Sequence, residues 1–141
     1  MSHPKPGSVP ANKDSGTLYE AAFNYQAQRR GCGEVFLSQS DNSGIDAVIS
    51  SPMGQLYRVQ IKGSRQEKTI SVAPFRGRGK TLRRLDPKKY EVLAIYASTY
   101  DMWYLIPSER VGKAVRLKIW PMFKTSNGMY EVYRDNWKIF K

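Results

Sequence analysis

Asp46, Gln60 and Lys62 bring a carboxylate, a carboxamide and an ammonium into two apolar segments separated by a turn. From these groups a site for phosphodiester hydrolysis can be built. A phosphodiester is an anion, so cutting it calls for a hard cation to draw charge off the phosphoryl oxygens and a water made nucleophilic nearby. The oxygens of Asp46 and Gln60 suit Mg²⁺, which commonly uses one or two carboxylates and keeps several waters. Lys62 suits the task of orienting or deprotonating the water. On a strand, Val59 and Ile61 point to one face and Gln60 and Lys62 to the other. The polar pair is therefore expected to look toward Asp46 while its neighbours enter a core.

These groups need elements to position them. Residues 15–30 read as a helix, with Ser15 or Thr17 as N-cap and Gly31 as the stop. Leu18, Ala22 and Tyr25 or Gln26 fall at helical spacing on one side. Glu20 borders the Phe23–Ala27 stripe, from which a carboxylate can lean toward the strand site. Val35–Leu37 reads as the first strand, Asp46–Ser50 as the second and Leu56–Lys62 as the third, with a hairpin turn at Pro52–Gln55. Thr69–Phe75 reads as a short fourth strand, and Asp86-Pro87 opens a brief helix through Tyr90. Val92–Ala97 is nearly all apolar, as in a strand buried on both faces, and Met102–Ile106 returns beside it. A helical turn is expected at Ser108–Val111, and Trp103 and Tyr104 read as sheet packing rather than base-stacking platforms. The expectation is a flexible basic tail over residues 1–14, then one α/β domain over 15–141 with a mixed central sheet flanked by helices.

Taken together, the helix residue Glu20, Gly44-Ile45-Asp46, Gln60-Ile61-Lys62 and the later strand pair through Pro107 resemble the PD-(D/E)XK nucleases. Within that family the likeness is to intron-encoded homing endonucleases and archaeal-type Holliday junction resolvases. It implies a restriction-endonuclease-like fold and a DNA endonuclease dependent on Mg²⁺, with Mn²⁺ able to substitute. It also implies that Glu20, Asp46, Gln60 and the Ile61 carbonyl hold the metal while Lys62 works with the water, giving Glu20, Asp46, Gln60 and Lys62 as the catalytic set. Ile45 stands where the family has proline, and Gln60 stands where it has a second acid. The resemblance implies that glutamine is tolerated in the homing-type branch. A reading from another class is a non-catalytic DNA-binding module or assembly protein that keeps the nuclease fold.

Composition narrows the partners. Lys and Arg outnumber Asp and Glu by 23 to 12, and the net charge of +11 favours a polyanion, with DNA first. The densest basic segment is Arg76-Gly77-Arg78-Gly79-Lys80-Thr81-Leu82-Arg83-Arg84, whose glycines let the backbone approach phosphates. Arg76, Arg78, Lys80, Arg83 and Arg84 are its expected DNA contacts. It does not read as a Walker loop, because Gly79-Lys80-Thr81 has no strand-to-helix context around it. A membrane partner is not expected, since no apolar run approaches the roughly 20 residues of a span. The start of the chain has no apolar signal segment, so a cytoplasmic, intracellular location is expected. Cys32 is the only cysteine and His3 the only histidine, which excludes an intrachain disulfide and argues against zinc or a Cys-His hydrolase. Cys32 reads as a small packed residue. Two cuts on antiparallel strands need two sites, so a homodimer or higher homo-oligomer is expected, joined around Trp103, Tyr130, Tyr133 and Trp137.

Overall fold

A computed structural model describes residues 14–39, 44–76, 79–123 and 128–141. The expected basic tail up to residue 13, with His3, and the proposed DNA contact Arg78 lie outside the described residues.

Helix α1, Asp14–Arg29, opens one residue before the expected start and stops where glycine permits it. Gly31 takes a φ of 67°, its N–H reaches the Gln28 carbonyl at 3.0 Å and the Cys32 N–H reaches the Ala27 carbonyl at 3.0 Å. This paired closure satisfies two carbonyls that the helix end leaves without partners. The buried stripe is Tyr19, Phe23 and Ala27; Leu18 is 41% and Tyr25 64% exposed, so the side of α1 those residues mark faces water.

Strands β1 (Glu34–Leu37), β2 (Ala47–Ser50) and β3 (Leu56–Ser64) form an antiparallel meander. The expected fourth strand is two: β4 (Ile70–Val72) and β5 (Phe75–Arg76), interrupted around Pro74, which has no N–H for a ladder. β5 pairs with β6 (Arg83–Arg84) as a small hairpin around a 3₁₀ turn at Gly79–Thr81. Instead of the expected helix, Asp86–Tyr90 makes a turn in which the Asp86 carboxylate accepts the Lys88 N–H at 2.9 Å. The chain cannot continue as a helix because Tyr90 enters the core and the Glu91 N–H bonds the Arg58 carbonyl.

β7 (Val92–Ala97) runs parallel to β3, and β8 (Met102–Pro107) returns antiparallel beside it. The central sheet is thus mixed, in the order β1-β2-β3-β7-β8. One helical turn, α2 (Ser108–Val111), follows, and β9 (Leu117–Ile119), which has no counterpart in the sequence reading, pairs with β4. Arg58 and Glu91, 2.5 Å apart, tie the start of β3 to the start of β7.

Both faces of the sheet are covered, which is why β7 and β8 read as continuous apolar runs. On one face, Phe23 and Ala27 of α1 pack with Ile49, Val59, Ile61 and Trp103 and with Trp137 and Phe140 from the C-terminal turns. On the other, Leu93, Ile95, Tyr104 and Ile106 meet Ile70, Val72, Leu117 and Ile119 of the small sheet. Cys32 is fully buried, as expected, with its thiol near the Trp137 carbonyl. Trp103, Tyr130 and Trp137 are at most 6% exposed and so belong to the core, whereas Tyr133 is only partly buried and its neighbours Met129 and Val132 are 78% and 75% exposed.

Gly63 at the end of β3 is where helix and sheet meet most closely, since a Cβ there would lie 2.2 Å from the Tyr19 ring. Gly63→Ala should therefore destabilise by about 1–3 kcal/mol through overpacking. The loss should largely vanish in a Tyr19→Ala background, measured by denaturant unfolding.

Candidate functional site

Asp46 sits where β2 parts from β3. The last rung of their ladder joins Ala47 to Val59, yet the Asp46 N–H still reaches the Val59 carbonyl at 3.0 Å. Its carboxylate then takes the place of the next backbone partner: Asp46 Oδ2 accepts the Ile61 N–H at 2.7 Å. A side chain standing in for a rung pins the carboxylate between Gln60 and Lys62. Val59 and Ile61 enter the core under α1, as expected, which turns Gln60 and Lys62 to the opposite face.

Gln60 is only 4% exposed, and among the described residues its amide nitrogen has no hydrogen-bond partner. Lys62 donates from Nζ to the Phe75 carbonyl at 2.6 Å, so the ammonium is tied to the first strand of the basic hairpin. Burial pushes its pKa below the ordinary lysine value, and the negative charge of Asp46 offsets part of that. Glu20 is half-buried on α1, the helix that covers the Val59 and Ile61 face of the sheet, opposite the face of Gln60 and Lys62. Asp46, Gln60, Ile61 and Lys62 are thereby assembled from adjoining strands, whereas Glu20 stands on the helix over the other face.

The donors that the strands bring together are oxygens: the Asp46 carboxylate, the Gln60 carboxamide and the Ile61 carbonyl. That chemistry fits a hard divalent cation better than a soft one. Among the described residues no group of three or more His, Cys, Asp or Glu is placed to hold a metal.

The basic run wraps the open side of this place. Arg76 packs so closely over Gly44 that a Cβ there would lie 2.1 Å from its guanidinium, and the φ of 72° at Gly44 independently favours glycine. Arg76, Arg83 and Arg84 line a cleft of about 310 Å³ that Gln60 closes at one end. Arg84 also donates to the Gly112 carbonyl and lies over the Phe75 ring, while Lys80 is exposed at the hairpin turn. Lys89 and Tyr90 line the same cleft and were not singled out in the sequence, because Asp86–Tyr90 read as a helix rather than a turn. The Lys88-Lys89 pair after Arg83-Arg84 is the signal that marks them.

The depressed Lys62 pKa fixes a sign. Between its folded value and the unfolded value near ~10.4 the unfolded chain holds more protons, so stability rises with pH across that window. At neutral pH the burial cost of the ammonium is present in full. Relative to Lys62→Met, the wild type should gain stability as pH climbs through that window in denaturant melts. A pH-independent difference would show that the ammonium is not desolvated.

With the geometry in view, three comparisons bear on the chain. The family model described as PD-(D/E)XK endonuclease matches residues 11–139. No curated protein matches. Among solved structures, the chain is similar to a bacterial homing endonuclease, I-Ssp6803I, with a TM-score of 0.75 at 17% identity, covering 92% of this chain and 93% of that one. At that identity the likeness is one of fold, whereas the family model spans nearly the whole chain. This protein belongs to the PD-(D/E)XK endonuclease family.

Proposed function

We propose that the protein is an Mg²⁺-dependent DNA endonuclease, folded as one domain over residues 15–141, acting inside the cell on duplex DNA in the manner of homing endonucleases. The observation that carries this reading is the Asp46 carboxylate, Gln60 and the partly buried Lys62 ammonium on adjoining strands, with Gln60 lining a basic cleft. Glu20, Asp46, the Gln60 amide oxygen and the Ile61 carbonyl are the groups that would hold Mg²⁺, or Mn²⁺ in its place. When bound, the cation supplies charge withdrawal from the phosphoryl group.

The chain's own residues do the rest. The Ile61 N–H holds the Asp46 carboxylate in one orientation, so no rearrangement is needed when a ligand arrives. Lys62 keeps one N–H on the Phe75 carbonyl and has two left to orient the attacking water. Its lowered pKa makes the neutral amine more accessible, and that form can take the proton of the water at Nζ. Arg76, Arg78, Lys80, Arg83 and Arg84 follow the phosphate backbone, which supplies most of the affinity without reading sequence. The fold likeness to a homing endonuclease favours duplex cutting over junction resolution.

Asp46→Asn separates chemistry from structure, because the amide oxygen can still accept the Ile61 N–H. It should abolish Mg²⁺-dependent cutting across linear duplex, plasmid and four-way junction substrates while leaving Tm close to wild type and DNA affinity within a few-fold. Mg²⁺ should raise the Tm of the wild type and not of the variant. A wild type that binds DNA, shows no Tm response to Mg²⁺ or Mn²⁺ and cuts none of these substrates would instead be a DNA-binding module that kept the nuclease fold.

Cutting both strands takes two sites, so we further propose a two-fold dimer on DNA. Light scattering with a duplex and Ca²⁺ in place of Mg²⁺ should give two chains per DNA, and a strict monomer would leave a nicking role.

A further inference from the structure

The cleft beside Gln60 is built from donors. Arg76, Arg83, Arg84 and Lys89 line it, and its one carboxylate, Asp86, is engaged by the Lys88 N–H. Two buried polar atoms on its lining residues have no hydrogen-bond partner among the described residues: the Gln60 amide nitrogen and the Tyr90 hydroxyl, on side chains only 4% and 2% exposed. Buried polar groups are rarely left unpaired, and each one calls for an explanation. Both atoms can donate, each is shut off from solvent on a side chain that lines the cleft, and the cleft carries an excess of cationic side chains.

We infer that this cleft seats a backbone phosphate of the DNA, with the Tyr90 hydroxyl and the Gln60 amide N–H as its buried donors and Arg76, Arg83, Arg84 and Lys89 as its charged wall. The inference rests on the nuclease reading and adds to it a phosphate seat and two residues, Lys89 and Tyr90. The surroundings of the hydroxyl agree. Tyr90 feels the charges of Arg84 and Asp86, both cleft residues, and burial raises its pKa to about 12, so the hydroxyl keeps its proton and can donate. Such bonds to an ionised acceptor are stronger than neutral ones.

This assigns the two ends of Gln60 separate tasks. Its carbonyl oxygen would be a ligand to the cation, and its amide N–H would donate to the phosphate. A glutamate can do only the first, and would set a negative charge against the phosphate. The neutral residue at this position then follows from the cleft rather than from decay of the site.

The test needs neither cation nor turnover. Binding of a short fluorescent duplex of mixed sequence is followed by anisotropy in EDTA, for wild type, Tyr90→Phe, Gln60→Met and Gln60→Glu. Tyr90→Phe removes an unpaired buried hydroxyl, so its Tm should equal or exceed that of the wild type while duplex affinity falls about tenfold, the loss of one hydrogen bond to a charged group. Gln60→Met should weaken binding similarly, and Gln60→Glu further still. Inorganic phosphate should displace the duplex from wild type better than chloride at equal ionic strength, and this advantage should shrink in Tyr90→Phe. Unchanged affinity in both Tyr90→Phe and Gln60→Met, or a loss of affinity matched by a loss of Tm, would overturn the inference. If the wild type cuts DNA while Tyr90→Phe binds normally, the phosphate seat falls and the nuclease reading stands. If the wild type cuts nothing while Tyr90→Phe loses affinity, the seat stands and the nuclease reading falls.

Discussion

The parallel pairing of β3 with β7 is the constraint from which the rest of the molecule follows. Parallel neighbours cannot be joined by a tight turn, so the chain must leave the end of β3, cross one face of the sheet and return to start β7 beside the start of β3. That crossing carries β4, the basic hairpin β5–β6 and the turn at Asp86–Tyr90. Because α1 occupies the face that takes Val59 and Ile61, the crossing covers the face that takes Gln60 and Lys62. The hairpin is thus brought against the polar pair by connectivity, and the Lys62 bond to the Phe75 carbonyl records the contact.

The same arrangement puts polar groups where burial is costly. An ammonium under a hairpin and a carboxamide at 4% exposure lose hydration, and such losses are tolerated where the groups are paired or have a task. Lys62 is paired, through a carbonyl and the neighbouring Asp46 charge. Asp46 is held by a backbone N–H that the parting of β2 from β3 sets free. Gln60 and Tyr90 keep unpaired donors among the described residues, and the cationic wall around them makes an anion the natural complement.

Aromatic packing secures the frame around this polar spot. Phe23 of α1 lies against Trp103, Trp137 and Phe140, so helix, sheet and C-terminal turns close on one cluster of rings. Tyr19 extends that contact to Tyr96 and to the space above Gly63, the residue after Lys62. The placement of the Glu20 turn is therefore a packing property, set by rings that touch neither metal nor DNA.

The sequence by itself determined what depends on local pattern. Alternation in Val59-Gln60-Ile61-Lys62 set which side chains face which way, Gly31 set the end of α1, and the unbroken apolar runs at Val92–Ala97 and Met102–Ile106 marked strands covered on both faces. The family was legible from Gly44-Ile45-Asp46 and Gln60-Ile61-Lys62, which lie close together along the chain. Tertiary structure alone decided the rest. Whether Trp103 and Trp137 were surface or core depended on α1 and the C-terminal turns closing over the sheet, and Tyr130 is buried in the cluster on the opposite face. The pairing of β4 with β9 joins segments too short and too distant to signal each other. Asp86–Tyr90 has helix-starting residues, yet Tyr90 is drawn into the core and the turn it ends lines a cleft with residues from β3, β5 and β6. Local spacing encodes faces and stops, whereas a cleft is an agreement among distant segments that exists only once the crossing over the sheet is made.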